Sequence, residues 1–495
     1  MSKIHFALGA VSACLLSQTI AVTVSAKEFI PANVTHSCYI AKSELETWSG
    51  GKALRPDSVF TPADSVTFDD ATVCDFYKWS WQMFLWLTSA DSRYGAAEDL
   101  VFDGQLFFDV DANSGEVFVQ DSDVGLLRGG KSVSTEQAGS PSGVLLAQDG
   151  SLVYYTVHIN NVYDAMTRLQ AKYASGPASA SGALFNEFPT TQKQLDALAA
   201  AAGVAAFAEG QALTMETKVS WVEIDKRDKD KYLTMMASIP DYRKSAAKPD
   251  DIWTWDGKTQ RQALLGLVGF HVVSPVKGHP ELVWATFEHS DNSPNNGFYY
   301  TPTDSGTPVL YSSFNDQGTL DNAMTFFAKG GAQGAANSQM ASQCSQDSAH
   351  KYKVAACIQA EAGENIAPSD TFREYAWGSS PGLDGLNNNN NDVLSANLGV
   401  QQNLAKGDVR KNYSLIGGIW TNDGSIPTYS NALYDPHLRG SVHLANSTLE
   451  TYTQSDNCFS CHALSDSSDI AYPANPGTNI SHIYGEIVDY YQSRP

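Results

Sequence analysis

The residues best suited to chemistry form the run Cys458-Phe459-Ser460-Cys461-His462. Two thiols three positions apart can form thioethers with the two vinyl groups of a haem, and the adjacent histidine then lies under the iron as its proximal ligand. A zinc site would need a second ligand pair, and the chain has no other C-x-x-C or H-x-x-H. A thioredoxin-like redox pair would need a βαβ context, which the surrounding sequence lacks. The motif therefore predicts one covalently bound haem c.

The distal ligand of that iron has to come from elsewhere in the chain, because no methionine follows His462. We expect a histidine in this position, or no protein ligand at all. His289 is a candidate because strand alternation places it on an apolar face, and His271 lies on a similar face. His482 is a candidate because it follows the motif closely; we rank His289 and His482 first. The weaker candidates are three histidines and five methionines upstream: His158, His437, His443, Met215, Met235, Met236, Met324 and Met340.

Residues 1–26 predict an export signal. A positively charged start, an apolar run over 6–24 and a small residue at Ala26 suit cleavage before Lys27. A lipid anchor at Cys14 is the alternative, because the residues before it loosely resemble a lipoprotein cleavage box. No later segment reaches the ~20 consecutive apolar residues of a membrane span. We therefore expect a periplasmic or secreted protein without a membrane span.

The composition and net charge of the chain limit the kinds of partner that it can bind. The formal net charge of −22 at pH 7 repels phosphate backbones and argues against nucleic acid as a partner. The same charge favours a redox partner protein with a basic docking surface. Hydrophobic residues make up 42% of the chain and aromatic residues 11%, so a sizeable buried core is expected.

Four further cysteines follow the predicted signal. In an oxidising compartment two disulfides are the default, and four cysteines allow three connectivities. The pairs Cys38–Cys74 and Cys344–Cys357 are favoured because each brackets a short segment.

The elements that must position these residues follow from the spacing of apolar side chains. Apolar residues almost all round predict a buried helix over 75–89. Alternation over 101–159, with Asp149-Gly150 as a turn signal, predicts hairpins. The remaining predictions are strands over 215–224, 232–239, 264–273 and 281–287, helices over 191–209, 320–328, 393–405, 441–453 and 481–491, and polar loops over 174–190, 291–320 and 378–392.

These elements predict a β-rich α+β fold with mainly antiparallel strands and peripheral helices, because the helices do not alternate with strands as parallel units require. After the signal at 1–26, we expect a large β-rich body over 27–440. The Ala-, Ser- and Gly-rich connection at 174–190 is where this body would subdivide. Residues 441–495 are expected to form a helical haem-attachment segment that packs on the body.

Two other runs match known motifs in their residue types, but they lack a group that the chemistry of the motif needs. The run 378–382 has the form G-x-S-x-G, but Pro381 follows the serine and has no N–H to offer an oxyanion hole. The run from Asp109 to Gly115 resembles a calcium loop, but its glycine falls one place late and the glutamate at position 12 is missing. A hairpin turn is the expected structure there.

Four segments together resemble a poorly characterised family of secreted bacterial monohaem cytochrome c proteins. They are 79–87, 283–292, 444–454 and 457–462. The resemblance would cover most of the mature chain, and it implies one c-type haem and a redox setting without a defined substrate. Only Cys458, Cys461 and His462 carry over as haem-binding positions.

Three functions remain open at this point. The first is electron transfer by a periplasmic monohaem c-type cytochrome, in which the body shields the haem and presents a docking surface. The second is a haem enzyme of the peroxidase or oxidase type with an open distal site, which the size of the body favours. The third is a binding or assembly protein in which the haem mainly attaches the C-terminus to the body.

Overall fold

The computed structural model describes most of the chain after the predicted signal. The described residues are 30–96, 99–112, 114–119, 142–174, 186–245, 251–361, 365–379, 389–464 and 477–494. The predicted signal, the anchor position Cys14 and the central parts of the loops at 174–190 and 378–392 lie outside these residues. Among the described helices, none combines the length and apolar character needed to cross a lipid bilayer.

The described residues form eight α-helices and sixteen β-strands. The helices are α1 (Lys42–Trp48), α2 (Val73–Leu87), α3 (Asn161–Ala174), α4 (Gln192–Ala202), α5 (Gln346–Tyr352), α6 (Asn389–Asn403), α7 (Cys458–Cys461) and α8 (His482–Gln492). The strands are β1 (Phe107–Val110), β2 (Val117–Val119), β3 (Gly143–Val144), β4 (Val153–Asn160), β5 (Glu216–Glu223), β6 (Thr234–Pro240), β7 (Arg243–Lys244), β8 (Ile252–Trp255), β9 (Gln260–Val276), β10 (His279–His289), β11 (Phe298–Tyr300), β12 (Val309–Tyr311), β13 (Ala341–Gln343), β14 (Ala356–Ala360), β15 (Tyr413–Thr421) and β16 (Leu438–Gly440).

Nine strands form one antiparallel sheet in the order β16-β15-β10-β9-β5-β4-β1-β2, with β6 pairing along the first part of β9. The smaller sheets are β3-β13-β14-β8-β7 and β11-β12. The central strands β10 and β15 are buried along almost their whole length, because both faces of the large sheet are covered. The predicted α+β fold with mainly antiparallel strands and peripheral helices is confirmed.

Helix α2 covers one face of the large sheet. Its first turn is capped by Asp75, whose carboxylate accepts a hydrogen bond from the Thr72 N–H at 2.8 Å. Phe84 stacks on Phe287 of β10 with ring centroids 4.2 Å apart. Ten of the fifteen residues of α2 are buried, so the helix is apolar almost all round, as predicted.

Two disulfides tie loops to these elements. Cys38–Cys74 joins the segment before α1 to the first turn of α2, and Cys344–Cys357 joins the residue after β13 to β14. Both predicted pairings are confirmed. Disulfides of this kind are typical of proteins in oxidising compartments.

The four predicted strands between 215 and 287 correspond to β5, β6, β9 and β10. The Asp149-Gly150 turn joins two segments whose Leu146 and Leu152 form a β-bridge, and β1 and β2 form the hairpin expected in place of a calcium loop. The predicted loop at 291–320 is only partly irregular, because β11 and β12 form a short hairpin within it.

The helix predicted over 320–328 is wrong. The N–H groups of Thr325 and Phe326 donate to the carbonyls of Asp291 and Asn292 instead of to carbonyls four residues back. The segment therefore forms turns and a β-bridge between Met324 and Phe327, and it is hydrogen-bonded to the loop that contains Asp291 and Asn292.

The helix predicted over 441–453 is also wrong. Asn446 Oδ1 accepts hydrogen bonds from the N–H and the hydroxyl of Thr448, each at 2.9 Å. Local side-chain bonds of this kind compete with helical backbone bonds. The segment consequently folds into successive turns, and only α8 confirms the helices predicted after 440.

The helix predicted over 191–209 ends early. Its predicted cap is confirmed, since Thr191 Oγ1 accepts a hydrogen bond from the Gln194 N–H at 3.3 Å. α4 then stops at Ala202, because Gly203 adopts the left-handed conformation with φ 75°.

Helix α6 begins within the predicted asparagine-rich loop and confirms the helix predicted over 393–405 with an earlier start. Asn389 Nδ2 donates to the Trp377 carbonyl at 2.7 Å, and Asn390 Nδ2 donates to the Tyr299 carbonyl at 2.8 Å. Both asparagines are buried. Their amides thus satisfy buried carbonyls in place of solvent.

Candidate cofactor site

The residues that lead into the Cys458 motif lie across the face of the large sheet opposite to α2. Asn446 Nδ2 donates to Thr286 Oγ1 at 2.8 Å, and the Ser447 N–H donates to Glu288 Oε1 at 2.7 Å. Thr286 and Glu288 stand two residues apart on β10 and so share one face. The sheet thereby fixes the segment that carries the motif.

Glu288 is held in turn by a buried ion pair. Arg373 Nη1 lies 2.5 Å from Glu288 Oε2, and the two side chains are only 4% and 1% exposed. The same Glu288 oxygen accepts a hydrogen bond from the Ser447 hydroxyl. One buried carboxylate therefore joins β10, the Arg373 loop and the motif-bearing segment.

The close approach of this segment to β9 depends on Gly269. A Cβ atom at Gly269 would lie 2.5 Å from Thr448 Oγ1 and still closer to Ser220 Oγ. We expect Gly269→Ala to destabilise the fold by about 1–3 kcal/mol, because two buried hydroxyls that bond each other would have to separate. Urea unfolding followed by tryptophan fluorescence measures this effect.

The matched control is Gly485→Ala in α8, where a Cβ atom would meet nothing within 4 Å. Alanine favours a helix over glycine, so this variant should be as stable as the wild type or slightly more stable. Equal unfolding midpoints for the Gly269 variant and the wild type would show that the segment does not need the close approach.

Helix α7 is a single turn that carries the motif. Its cap is Asn457, whose Oδ1 accepts a hydrogen bond from the Ser460 N–H at 3.1 Å and whose Nδ2 donates to the Val442 carbonyl at 3.0 Å. Phe459 is fully buried and packs edge-on against Trp284 of β10, with ring centroids 6.1 Å apart. The cap and the buried ring hold the turn against the sheet.

Cys458 and Cys461 are both free thiols. They stand three residues apart on the helical turn and so face the same side. Cys458 is half-buried and Cys461 is exposed. Burial, and then the nearby charge of Glu450, raise the pKa of the Cys458 thiol well above its ordinary value. A redox-active dithiol has a lowered thiol pKa, so this environment does not favour a thioredoxin-like role.

The imidazole of His462 is held in one orientation. Its Nδ1 lies 2.8 Å from the Ile480 carbonyl and donates to it, which leaves the Nε2 lone pair available for a metal. The ring lies between Trp284 and His482, with centroid distances of 4.3 Å and 4.1 Å. Burial, and then the neighbouring His482, lower the pKa of His462 well below its ordinary value. The side chain is therefore neutral, as a metal-binding histidine must be.

Three charged or titratable groups lie beside the motif. His271 Nε2 is 2.9 Å from Glu450 Oε1, and Lys218 Nζ is 3.9 Å from the same oxygen. Burial alone would raise the pKa of Glu450, but His271 and Lys218 outweigh it and hold this pKa below its ordinary value. Lys218 and His271 are direct cross-strand neighbours on β5 and β9. The sequence alone indicates a solvated strand face for Lys218 and no role for Glu450, because only the order of the strands brings the two residues to the motif.

Of the two ranked distal candidates, His482 lies at the motif. Its ring stacks on His462 with an angle of 21° between the planes, and its Nε2 donates to the Cys461 carbonyl at 2.7 Å. In this stack the His482 ring lies flat against the His462 ring, and its Nε2 is already bonded to a backbone carbonyl. His482 would therefore have to turn out of the stack to become a distal ligand.

His289 lies elsewhere. Its Nε2 donates to the Lys231 carbonyl at 3.0 Å, and its Nδ1 accepts a hydrogen bond from the Asp291 N–H at 3.2 Å. The ring stacks on Tyr232 with centroids 4.0 Å apart. His289 stands five residues along β10 from Trp284, a separation of about 16 Å. The fold thus brings His482 and His271 to the motif and leaves His289 at the other end of the strand.

The weaker histidine candidates have other contacts. His158 lies on the opposite face of the sheet, and exposed His437 has its Nδ1 2.9 Å from an Asp423 oxygen. His443 stacks on Tyr375 with centroids 4.4 Å apart, and its Nδ1 is buried without a hydrogen-bond partner. These three keep their lower rank.

The residues around the motif fit a covalently bound haem. Two free thiols face one side of a capped helical turn, and the neutral imidazole of His462 is oriented by a backbone carbonyl. The rings of Trp284 and Phe459 form an apolar wall beside them. This donor set can hold the group at Cys458, Cys461 and His462.

The chain has no match among protein-family models, among curated proteins or among solved structures.

Proposed function

We propose that the protein is a periplasmic monohaem c-type cytochrome that transfers electrons through one haem. Cys458 and Cys461 bind the haem through thioethers, and His462 is the proximal iron ligand. The two disulfides support an oxidising compartment, as a periplasmic or secreted protein requires.

The main support for the proposal is that the two thiols of the motif are free and that the His462 ring is held in one orientation. The two thiols are unbonded while the other four described cysteines are paired, so Cys458 and Cys461 are available to form thioethers. The orienting bond from His462 Nδ1 to the Ile480 carbonyl is the arrangement that metal-binding histidines commonly have.

A bound haem supplies reversible one-electron chemistry between ferric and ferrous iron. The chain holds and insulates that group. The Ile480 carbonyl fixes the His462 ring, and Trp284 excludes water from one side of it. Glu450 places a negative charge beside the thiols, partly offset by Lys218. A negative charge near the iron favours the ferric state and so lowers the reduction potential.

The surface at the motif suits exchange with a partner protein. Cys461 is exposed, so one edge of the attached group would lie within reach of another molecule. The net charge of −22 favours a partner with a basic docking surface. Electron transfer of this kind should weaken as salt is added, since screening shortens the range of the attraction.

Replacing His482 tests which residue binds the distal face. We expect His482→Ala to convert a six-coordinate ferrous spectrum into one that responds to carbon monoxide, because His482 is the ranked histidine at the motif. His289→Ala is the matched control and should leave the spectrum unchanged, since both nitrogens of His289 bond backbone groups elsewhere. Optical spectra in both oxidation states measure this. A sulfur-to-iron charge-transfer band in the wild type would show methionine ligation and refute the prediction.

One observation favours the second candidate, a haem enzyme of the peroxidase or oxidase type with an open distal site. His482 Nε2 is already bonded to the Cys461 carbonyl, so the ring is engaged on the proximal side. Wild-type protein that binds cyanide and carbon monoxide, with unchanged spectra in His482→Ala and His271→Ala, would support this enzyme over the electron carrier.

A further inference from the structure

Three side chains that can bind metal come together on the α2 side of the large sheet, away from the Cys458 motif. Asp109 of β1 and His158 of β4 are direct cross-strand neighbours. Asp103 ends the short 3-10 helix Val101–Asp103, which packs over them. One nitrogen and two carboxylate oxygens of this group lie within 4.8 Å of one another.

The site is separate from the motif because strand alternation puts it on the other face. The cross-strand neighbour of His158 on β5 is Thr217. Thr217 stands between Glu216 and Lys218, which face the C-terminal segment and the motif. The proposed haem and this group therefore have the thickness of the sheet between them.

The state of His158 points to a ligand. The side chain is completely buried, and its Nε2 makes no hydrogen bond, although Asp109 Oδ1 lies 3.1 Å from it. Its Nδ1 lies 3.3 Å from Thr217 Oγ1. When Nδ1–H donates to that hydroxyl, the Nε2 lone pair is directed at the two carboxylates, as in a metal-binding histidine.

The charge around His158 also favours a cation. Asp99 lies close enough for its charge to act on Asp103, as does Asp109. Two carboxylates thus face one buried imidazole, and the charge of a third acts on one of them. Asp109 is the first residue of the calcium-like run in the sequence, but that run forms a hairpin turn, and strand pairing gives Asp109 different partners.

We propose that Asp103, Asp109 and His158 bind a divalent transition-metal ion, for which Zn²⁺ is the best match. An imidazole nitrogen with two carboxylate oxygens suits Zn²⁺ better than Ca²⁺ or Mg²⁺, which prefer oxygen ligands alone. A tetrahedral Zn²⁺ ion at ~2.1 Å from each ligand holds the ligand atoms about 3.4 Å apart. Small rotations of the Asp103 and Asp109 carboxylates would bring the ligand atoms from within 4.8 Å of one another to this spacing. Three protein ligands leave a fourth position for water or a small anion.

Calorimetric titration of the purified full chain with Zn²⁺ tests the proposal. The protein is first treated with a chelator, and any free thiols at Cys458 and Cys461 are alkylated so that they cannot bind the ion. We expect one ion per chain. Asp109→Asn should weaken binding more than 100-fold, and Thr217→Val about 10–100-fold, because Thr217 only orients the imidazole.

The matched control is Asp111→Asn in the adjoining turn, which should bind Zn²⁺ as the wild type does. No saturable binding by the wild type, or equal loss in the Asp109 and Asp111 variants, would overturn the proposal. Circular dichroism checks that each variant is folded. Anomalous scattering at the zinc edge from wild-type crystals gives a second reading that needs no variant: a peak between the three side chains is expected, and a peak only elsewhere excludes the site.

Discussion

Replacing Cys458 and Cys461 together by alanine is expected to abolish covalently bound haem. The wild-type chain, produced in a host that exports it and attaches haem, should keep one haem per chain under denaturing conditions, because thioether bonds survive unfolding. The double variant should have the mass of the polypeptide alone. Mass spectrometry of the denatured protein makes this comparison.

The control variant is Cys344→Ala with Cys357→Ala, which removes the same number of sulfurs from a structural disulfide. It should retain the haem, although it should unfold more easily. Haem lost from the wild type on denaturation, or retained by the Cys458 and Cys461 double variant, would contradict covalent attachment at the motif.

The second large effect concerns the buried pair of Arg373 and Glu288. We expect Arg373→Met to lower the free energy of unfolding by about 3–5 kcal/mol at neutral pH, because it leaves the Glu288 carboxylate buried without its cation. Since Glu288 also holds Ser447, the segment leading to the motif should loosen as well. Urea unfolding gives the stability, and hydrogen exchange at Ser447 reports the local opening.

The double variant Arg373→Met with Glu288→Gln isolates the cause. Removing the charge that was left unpaired should recover part of the stability lost in the single variant. Arg227→Met is the matched surface control, because its pair with Asp225 is exposed, and it should change the stability little. A single Arg373 variant as stable as this control would show that the buried pair does not hold the fold together.

Elements defined by local periodicity could be predicted from the sequence. α2 and the strands β5, β9 and β10 have apolar spacings that depend on their own residues alone, and the pairing of Cys38 with Cys74 follows from their short separation. The turns at 441–453 could not be predicted from apolar spacing, because the Asn446 side chain takes the place of helical backbone bonds. The buried residues Asn389 and Asn390 look like part of a low-complexity loop until their carbonyl partners are known.

The candidate sites, too, could be predicted only where the local sequence decides the structure. Strand alternation ranks His271 and His289 alike, since both lie on apolar strand faces, but it does not say which segment covers each end of a strand. The fold places His271 at Glu450 and His289 at the Lys231 carbonyl. The grouping of Asp103, Asp109 and His158 likewise depends on which strands are neighbours, and no spacing along the chain reveals it.

The solvent access of the cysteines has a consequence for how the protein matures. Haem attachment as proposed needs Cys458 and Cys461 reduced, in a compartment that oxidises the other four. Each structural disulfide has one almost fully buried member, Cys38 at 1% exposure and Cys357 at 2%, whereas Cys461 is exposed. A reductase that needs direct access to sulfur would therefore act on the motif and spare the two disulfides once the sheet has folded. If the chain folds before the haem is inserted, the two structural disulfides are therefore protected from reduction. The thiols that accept the haem remain accessible to the enzymes that reduce them and attach it.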